Sequence, residues 1–335
     1  MRDVLLIGMG ITAPSALESL AASCRVVGVV RTVDPNDIDT DPVIESARRH
    51  GIPVFGDASI SGIRELVGRL RPECVVISSF DRILPGDLVA GCPYVNIHYS
   101  PLPRYRGRAN VNWALINGEP FTAITIHIVE EGLDAGNVLF QRLVPIDRED
   151  TVADLYERLN QLQLQHLGET VDRFLNGYAG IPQTTELATY GCTRLPADGE
   201  IDWSAPTDTI AALIRALVKP FPGAFSYING RRLVVWGVRA LDNPPSYVGR
   251  VPGRVVNVSK AHGYVDVLTG DGVLRILEVE VNGEGPVQAS QLIRSLRSTL
   301  GLRTADLLSR IELLEREIAV LRGQAPSSGE NHAHM

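Results

Sequence analysis

The chain has 335 residues, 44% of them hydrophobic and 21% charged, with a formal net charge of −7. That length suits two domains of about 100–200 residues each, and no apolar run approaches the roughly 18 residues of a membrane-crossing helix. The opening residues lack the apolar stretch and cleavage site of a secretion signal, and Cys24, Cys74, Cys92 and Cys192 form no Cys-x-x-Cys pair, which argues against a disulfide framework or a zinc cage and fits a reducing cytoplasm.

The first half alternates between apolar runs and helical spacing. Residues 4–8, 26–30, 53–55, 74–78 and 95–98 read as strands, and 13–22, 41–50 and 63–70 as helices. This order implies an α/β fold, a Rossmann-like and mostly parallel sheet with helices on both faces. Ligands in such sheets sit beyond the carboxyl ends of the strands. A further strand is expected at 124–128. Val152, Leu155, Leu159, Leu162, Leu167, Val171 and Leu175 stripe a long helix over 151–177, whose glutamines read as a solvated face. Residues 182–199 read as a linker. After a helix at 210–218, short runs at 225–228, 232–238, 253–258, 264–268 and 273–279 are separated by Gly, Asn and Asp. That spacing suggests a small antiparallel barrel or sandwich.

Leu307, Ile311, Leu314, Ile318 and Leu321 then form a heptad seam about two repeats long. It is too short to stand alone and is expected to pack on the body or on a second subunit. The expected organisation is a catalytic domain over 1–185, a barrel over 198–288, a helical segment over 289–323 and a disordered tail over 324–335. His332 and His334 in that tail are given no role.

Gly8-Met9-Gly10-Ile11-Thr12-Ala13 matches G-x-G-x-x-A between a strand and a helix. A dinucleotide-dependent oxidoreductase would use such a turn for pyrophosphate, with Arg31 and Asp34 near the ribose. Any tight strand-to-helix turn favours glycine, so the pattern is permissive.

A second constellation is more specific. Asn96 and His98 alternate onto one side of a strand end. A stiff loop, Tyr99-Ser100-Pro101-Leu102-Pro103-Arg104-Tyr105-Arg106-Gly107, follows them. Asp134 lies in a second loop, Glu130-Glu131-Gly132-Leu133-Asp134-Ala135-Gly136. A histidine can accept a proton near neutral pH, a carboxylate can support its charged form, and an asparagine amide can donate to an oxygen gaining charge. No Ser or Cys nucleophile accompanies them. The set suits direct attack by an amine on a bound acyl donor. The alternative is that His98 merely satisfies backbone groups in a buried loop.

Asn96-x-His98-x-Ser100-x-Leu102-Pro103-x-x-Arg106-Gly107 with Gly132-Leu133-Asp134-x-Gly136 resembles the signature of the 10-formyltetrahydrofolate-dependent formyltransferases, which include methionyl-tRNA formyltransferases and sugar N-formyltransferases. Asp202-Trp203, Ile214-Arg215-Ala216 and Pro220-Phe221-Pro222-Gly223-Ala224-Phe225 are similar to the C-terminal barrel of that family. The resemblance covers about residues 2–284. It implies that Asn96 binds the formyl oxygen and stabilises the tetrahedral oxyanion, that His98 takes the proton of the attacking amine, and that Asp134 pairs with His98. It also implies that the folate contacts Phe80, Ile83, Leu84, Glu130, Gly132 and Leu133, and that Ser100, Arg106 and Gly107 shape the acceptor side. No metal is implied.

The tRNA enzymes of this family carry a basic insertion after the second strand. Here residues 31–41 hold four aspartates, Asp34, Asp37, Asp39 and Asp41, and one arginine, Arg31. Such a loop repels a phosphate backbone, and Pro101 departs from the usual Ser-Leu-Leu-Pro. The expectation is therefore a small acceptor, the amine of a nucleotide-linked 4-amino sugar. A methionyl-tRNA or a siderophore precursor such as hydroxyornithine is the alternative.

Overall fold

The computed structural model describes residues 1–31, 42–80, 82–302 and 304–322. The four aspartates of 32–41 and the tail 324–335 with His332 and His334 lie outside the described residues. The chain divides into two compact units, one of Met1–Asp198 with Arg215–Pro222, the other of Gly199–Ile214 with the residues from Gly223 onward. Arg215–Pro222 joins the first unit because Arg215 donates to the Asp150 carbonyl at 2.9 Å and Asn112 to the Ala216 carbonyl at 2.6 Å.

The first unit begins with β1 (Asp3–Gly8), α1 (Ala13–Ser23), β2 (Arg25–Val30), α2 (Pro42–Arg49), β3 (Val54–Phe55), α3 (Ile60–Leu70), β4 (Cys74–Ser78), α4 (Gly86–Ala90) and β5 (Tyr94–His98). It continues with β6 (Arg106–Gly107), α5 (Asn110–Ile116), β7 (Phe121–Ile128), β8 (Val138–Pro145), α6 (Val152–Leu175) and β9 (Tyr190–Gly191). Its main sheet has the order β3-β2-β1-β4-β5-β7-β8. The first five strands are parallel, as the alternation of strand and helix requires. β7 runs antiparallel to both β5 and β8. A short loop joins β7 to β8, and a connection of that length permits only an antiparallel pair. The sequence pattern did not reveal α4 or β8. β8 lies at the sheet edge with only Leu139 and Val144 buried, and Gln141 and Arg142 interrupt its apolar residues, so it lacks a continuous apolar run.

Helix α6 starts from a full capping box. Thr151 Oγ1 accepts from Asp154 N, while Asp154 accepts from the Thr151 N–H at 2.8 Å. Of its apolar stripe, Val152, Leu155, Leu159, Leu167 and Val171 are fully buried and Leu162 and Leu175 partly so. The glutamine expectation fails at one position. Gln163 is fully buried, donates to Thr12 O and Ser15 Oγ at 2.7 Å each, and accepts from Tyr99 Oη. Asn160, on the same face, donates to Ile11 O and accepts from Tyr99 Oη. The carbonyls of the glycine turn after β1 are thus held by α6, and Thr12 Oγ1 meets Ser78 and Ser79 at 3.0 and 2.8 Å. Gly8 has a packing reason to be glycine. A Cβ there would stand 3.0 Å from Ala13 Cβ and 3.1 Å from Ser78 O.

Residues 182–199 are more structured than a linker. Within them β9 pairs in parallel with β6, and Arg106 N donates to Thr189 O at 2.8 Å. The segment carries few large buried apolar residues, so nothing in its hydropathy marked this docking.

The second unit holds α7 (Thr207–Arg215) up to Ile214, then β10 (Ala224–Ile228), β11 (Arg231–Ala240), β12 (Val255–Ser259), β13 (Tyr264–Leu268), β14 (Val273–Val281), β15 (Val287–Gln288), α8 (Ala289–Leu292) and α9 (Thr304–Leu321). The strands form one antiparallel sheet of order β10-β11-β14-β13-β12, with β15 on β14. Trp203 is buried in this unit and its indole N–H donates to Ser226 Oγ at 2.8 Å. Among the described residues no helix is long and apolar enough to cross a membrane.

Candidate active site

The end of β5 places Asn96 and His98 two residues apart on one face. The antiparallel register sets Asn96 opposite His127 and His98 opposite Thr125 on β7. Asp134 enters from the loop that follows β7. The loop turns back under Ile128, where only glycine fits at 136: a Cβ there would lie 2.1 Å from Ile128 O. Asp134 itself has φ +49°, and Ser79, Tyr105 and Ala109 are also left-handed. Such backbone costs about 1–2 kcal/mol per residue, and its clustering near one site is typical of functional loops.

The three proposed side chains converge. Asp134 Oδ2 is 3.6 Å from His98 Nδ1 and accepts from the Gly107 N–H at 2.8 Å. Asp134 Oδ1 is 3.4 Å from Asn96 Nδ2 and 3.6 Å from His127 Nε2. His127 is the residue the sequence reading missed. Its Nδ1–H donates to Ile128 O at 2.8 Å, which leaves Nε2 bare to accept from Asn96 Nδ2 at 3.1 Å. That bond orients the Asn96 amide. The signal was present in β7, where Thr125 and His127 alternate as polar residues in an apolar strand.

His98 is buried. Its Nε2 lies 2.8 Å from Tyr105 O and 2.9 Å from Asn110 Nδ2. Burial lowers its pKa below the ordinary histidine value, and the opposing pull of Asp134 does not fully restore it. His98 is therefore neutral and able to accept a proton at neutral pH. Burial alone would raise Asp134, but the positive charge that His98 carries once protonated and the Gly107 N–H outweigh it and hold the carboxyl well below the usual carboxylate range. Once protonated, His98 presents one N–H to Tyr105 O and the other to a carboxylate that is always charged.

The supporting residues sit deeper than the sequence suggested. Ser100 is 1% exposed and its hydroxyl lies 3.0 Å from both Arg104 O and Tyr105 O. It closes the proline loop from inside, where an acceptor contact was expected. Arg106 is also buried and donates to Gln183 Oε1 at 2.8 Å. Gln183 in turn donates to Asp134 O at 2.8 Å and Gly136 O at 2.7 Å, bracing the Asp134 loop. Gly107 has φ +95°, and a Cβ there would stand 2.8 Å from Gly191 O. Of the residues expected to meet the folate, Phe80 and Leu84 pack partly buried on the core cluster of β1, β4 and α3, as does Val129, which precedes Glu130. Ile83 is 85% exposed, and Glu130, Gly132 and Leu133 lie exposed on the loop leading to Asp134.

The fold thus brings Asn96, His98 and Asp134 together at the end of β5, as candidates for an acyl-transfer site. The models of two families match the chain, formyl transferase over residues 57–171 and formyl transferase, C-terminal domain, over 195–297. The methionyl-tRNA formyltransferase of Caldanaerobacter subterraneus subsp. tengcongensis is 34% identical over 255 residues, covering 73% of this chain and 79% of that protein. Among solved structures, HypX from Aquifex aeolicus in complex with tetrahydrofolic acid superposes with a TM-score of 0.61 at 18% identity. The match takes in 88% of this chain, which spans about half the length of HypX. The N-formyltransferase from Helicobacter canadensis in complex with folinic acid and dTDP-3-aminofucose superposes at 0.63 with 20% identity, covering 82% of this chain and 98% of that one. The chain belongs to the formyl transferase family. It is a formyltransferase.

Proposed function

We propose that this chain transfers the formyl group of 10-formyltetrahydrofolate to the amino group of methionyl-tRNA. The observation that carries this reading is the 34% identity to a methionyl-tRNA formyltransferase over 79% of that protein's length. Charge placement supports it. The whole chain is acidic, but residues 223–302 hold nine basic against six acidic side chains, the sign that a phosphate backbone favours.

The residues divide the work by their chemistry. Asn96 has one N–H committed to His127 and a second in a long contact with Asp134. It exchanges that second contact for the formyl oxygen as charge develops there. His98 takes the proton that the amine sheds. Asp134 balances the resulting imidazolium, an attraction of about 4 kcal/mol at an effective dielectric near 20. Phe80, Leu84 and the 130–133 loop offer apolar and backbone surface to the pterin.

A second reading is kept, that of a nucleotide-linked amino sugar. The four aspartates at 34, 37, 39 and 41 favour it, since they would oppose a phosphate backbone. One assay separates the two. The protein and 10-formyltetrahydrofolate are offered methionyl initiator tRNA, nucleotide-linked amino sugars and hydroxyornithine, and mass spectrometry follows the formyl increment. The proposal expects tRNA to be formylated with a steep loss of binding as salt rises. Transfer to a sugar amine alone would replace it with the second reading.

A further inference from the structure

Among the described residues, nothing covers the apolar seam of helix α9. Leu307, Ile311, Leu314, Ile318 and Leu321 are between 40% and 86% exposed. All of its described side chains except Ala319 are exposed. An isolated helix of this length is marginal in water, so the seam needs a partner to hold it.

The pattern states which partner. The spacing of four, three, four and three puts Leu307, Leu314 and Leu321 at d and Ile311 and Ile318 at a. β-Branched a positions with leucine at d favour two parallel strands over three or four. The flanking charges agree. Arg310 and Glu317 occupy g, and Glu315 and Arg322 occupy e. In a parallel pair, g of one helix faces e of the following heptad on the other. Arg310 then meets Glu315, and Glu317 meets Arg322, twice over by symmetry. With a and d layers matched in an antiparallel pair, Glu315 would instead face Leu308 or its own copy, depending on the register. We propose that α9 is a homodimerisation helix, forming a parallel two-stranded coiled coil with a second copy of this chain.

The seam spans little more than two heptads, so the association is weak and dissolves on dilution. Sedimentation velocity on the full chain, from nanomolar to high micromolar concentration, reads it directly. The expected result is a monomer whose mass doubles as concentration rises. The double substitution Ile311→Asp with Ile318→Asp leaves a monomer throughout. Glu315→Arg keeps the helix but sets arginine against Arg310, and raises the dissociation constant about tenfold. Adding Arg310→Glu restores it. Parallel order is read by Leu321→Cys in a Cys192→Ser background, since the other three cysteines are buried. Mild oxidation then links two chains across the seam. A wild-type monomer at high micromolar concentration overturns the proposal, as does a trimer or tetramer. So does a dimer that survives the Asp pair or ignores the charge swap. Failure of the Leu321→Cys dimer to cross-link on oxidation overturns the parallel arrangement.

Discussion

His98 Nδ1 and Asp134 Oδ2 face each other across 3.6 Å. That is longer than a hydrogen bond and short enough for strong coupling between charges. The gap matters because His98 rests neutral. Burial has pulled its pKa down, and the carboxylate takes full effect only after a proton arrives.

The first prediction concerns pH. A base with a lowered pKa stays active as pH falls through the ordinary histidine range, about 6.5. Turnover should therefore hold level there and decline only at more acid pH. Asp134→Asn removes the neighbour that raises His98, so the acid limb should move lower still while the plateau drops. The same shift ties to stability. A depressed histidine binds its proton more readily when unfolded, so its contribution is complete above about 6.5 and is lost as pH falls. A pH–rate profile with its acid limb above 6.5 would contradict this.

Removing the proposed donor and base should act on kcat. Asn96→Ala deletes the amide that meets the developing charge, at a cost of about 10²–10³ in rate. His98→Gln keeps volume and polarity but accepts no proton, at a cost of about 10²–10⁴. Single-turnover kinetics with folded variants, judged by near-ultraviolet circular dichroism, tests both. Near-normal turnover in either would sink the role given to that residue.

Gln183 braces the Asp134 loop through its backbone. One amide nitrogen holds both Asp134 O and Gly136 O, and its oxygen receives Arg106. Gln183→Ala frees all three groups. The expected loss is about 1–3 kcal/mol of stability, together with a lower kcat and a displaced pH profile. Gln183→Glu should keep the bond to Arg106 while losing the two donations, and so should show the kinetic defect with less destabilisation.

Gln163→Leu preserves size but removes a buried polar hub. Thr12 O and Tyr99 Oη both lose a partner, so a fall of about 1–3 kcal/mol is expected by chemical denaturation. Gly168→Ala tests the packing of α6 on α1, because a Cβ there would stand 2.4 Å from Ser19 O. It should lower the melting temperature and leave the chemistry of the site intact.

Much of the site was legible because its residues lie in two short contiguous stretches. Asn96 and His98 are fixed on one face by strand alternation alone, and Asp134 is flagged by the glycines around it. Others could not be read. Gln183 acts from about fifty residues beyond Asp134 through bonds to backbone carbonyls, and such bonds leave no trace in hydropathy. The family resemblance placed Ser100 and Arg106 on the acceptor side, yet both are buried and bond to the protein itself.

The sequence by itself determined the alternation of strands and helices, the parallel core, the long α6 stripe and the heptad register of α9. Each is a local periodicity, set by where apolar side chains fall within one element. Only the tertiary structure decided the antiparallel run of β7 and β8, the docking of 182–199 on β6, the burial of Gln163 and the entry of His127 into the site. These depend on which distant backbone groups must be satisfied once water is excluded, and that demand exists only in the folded chain.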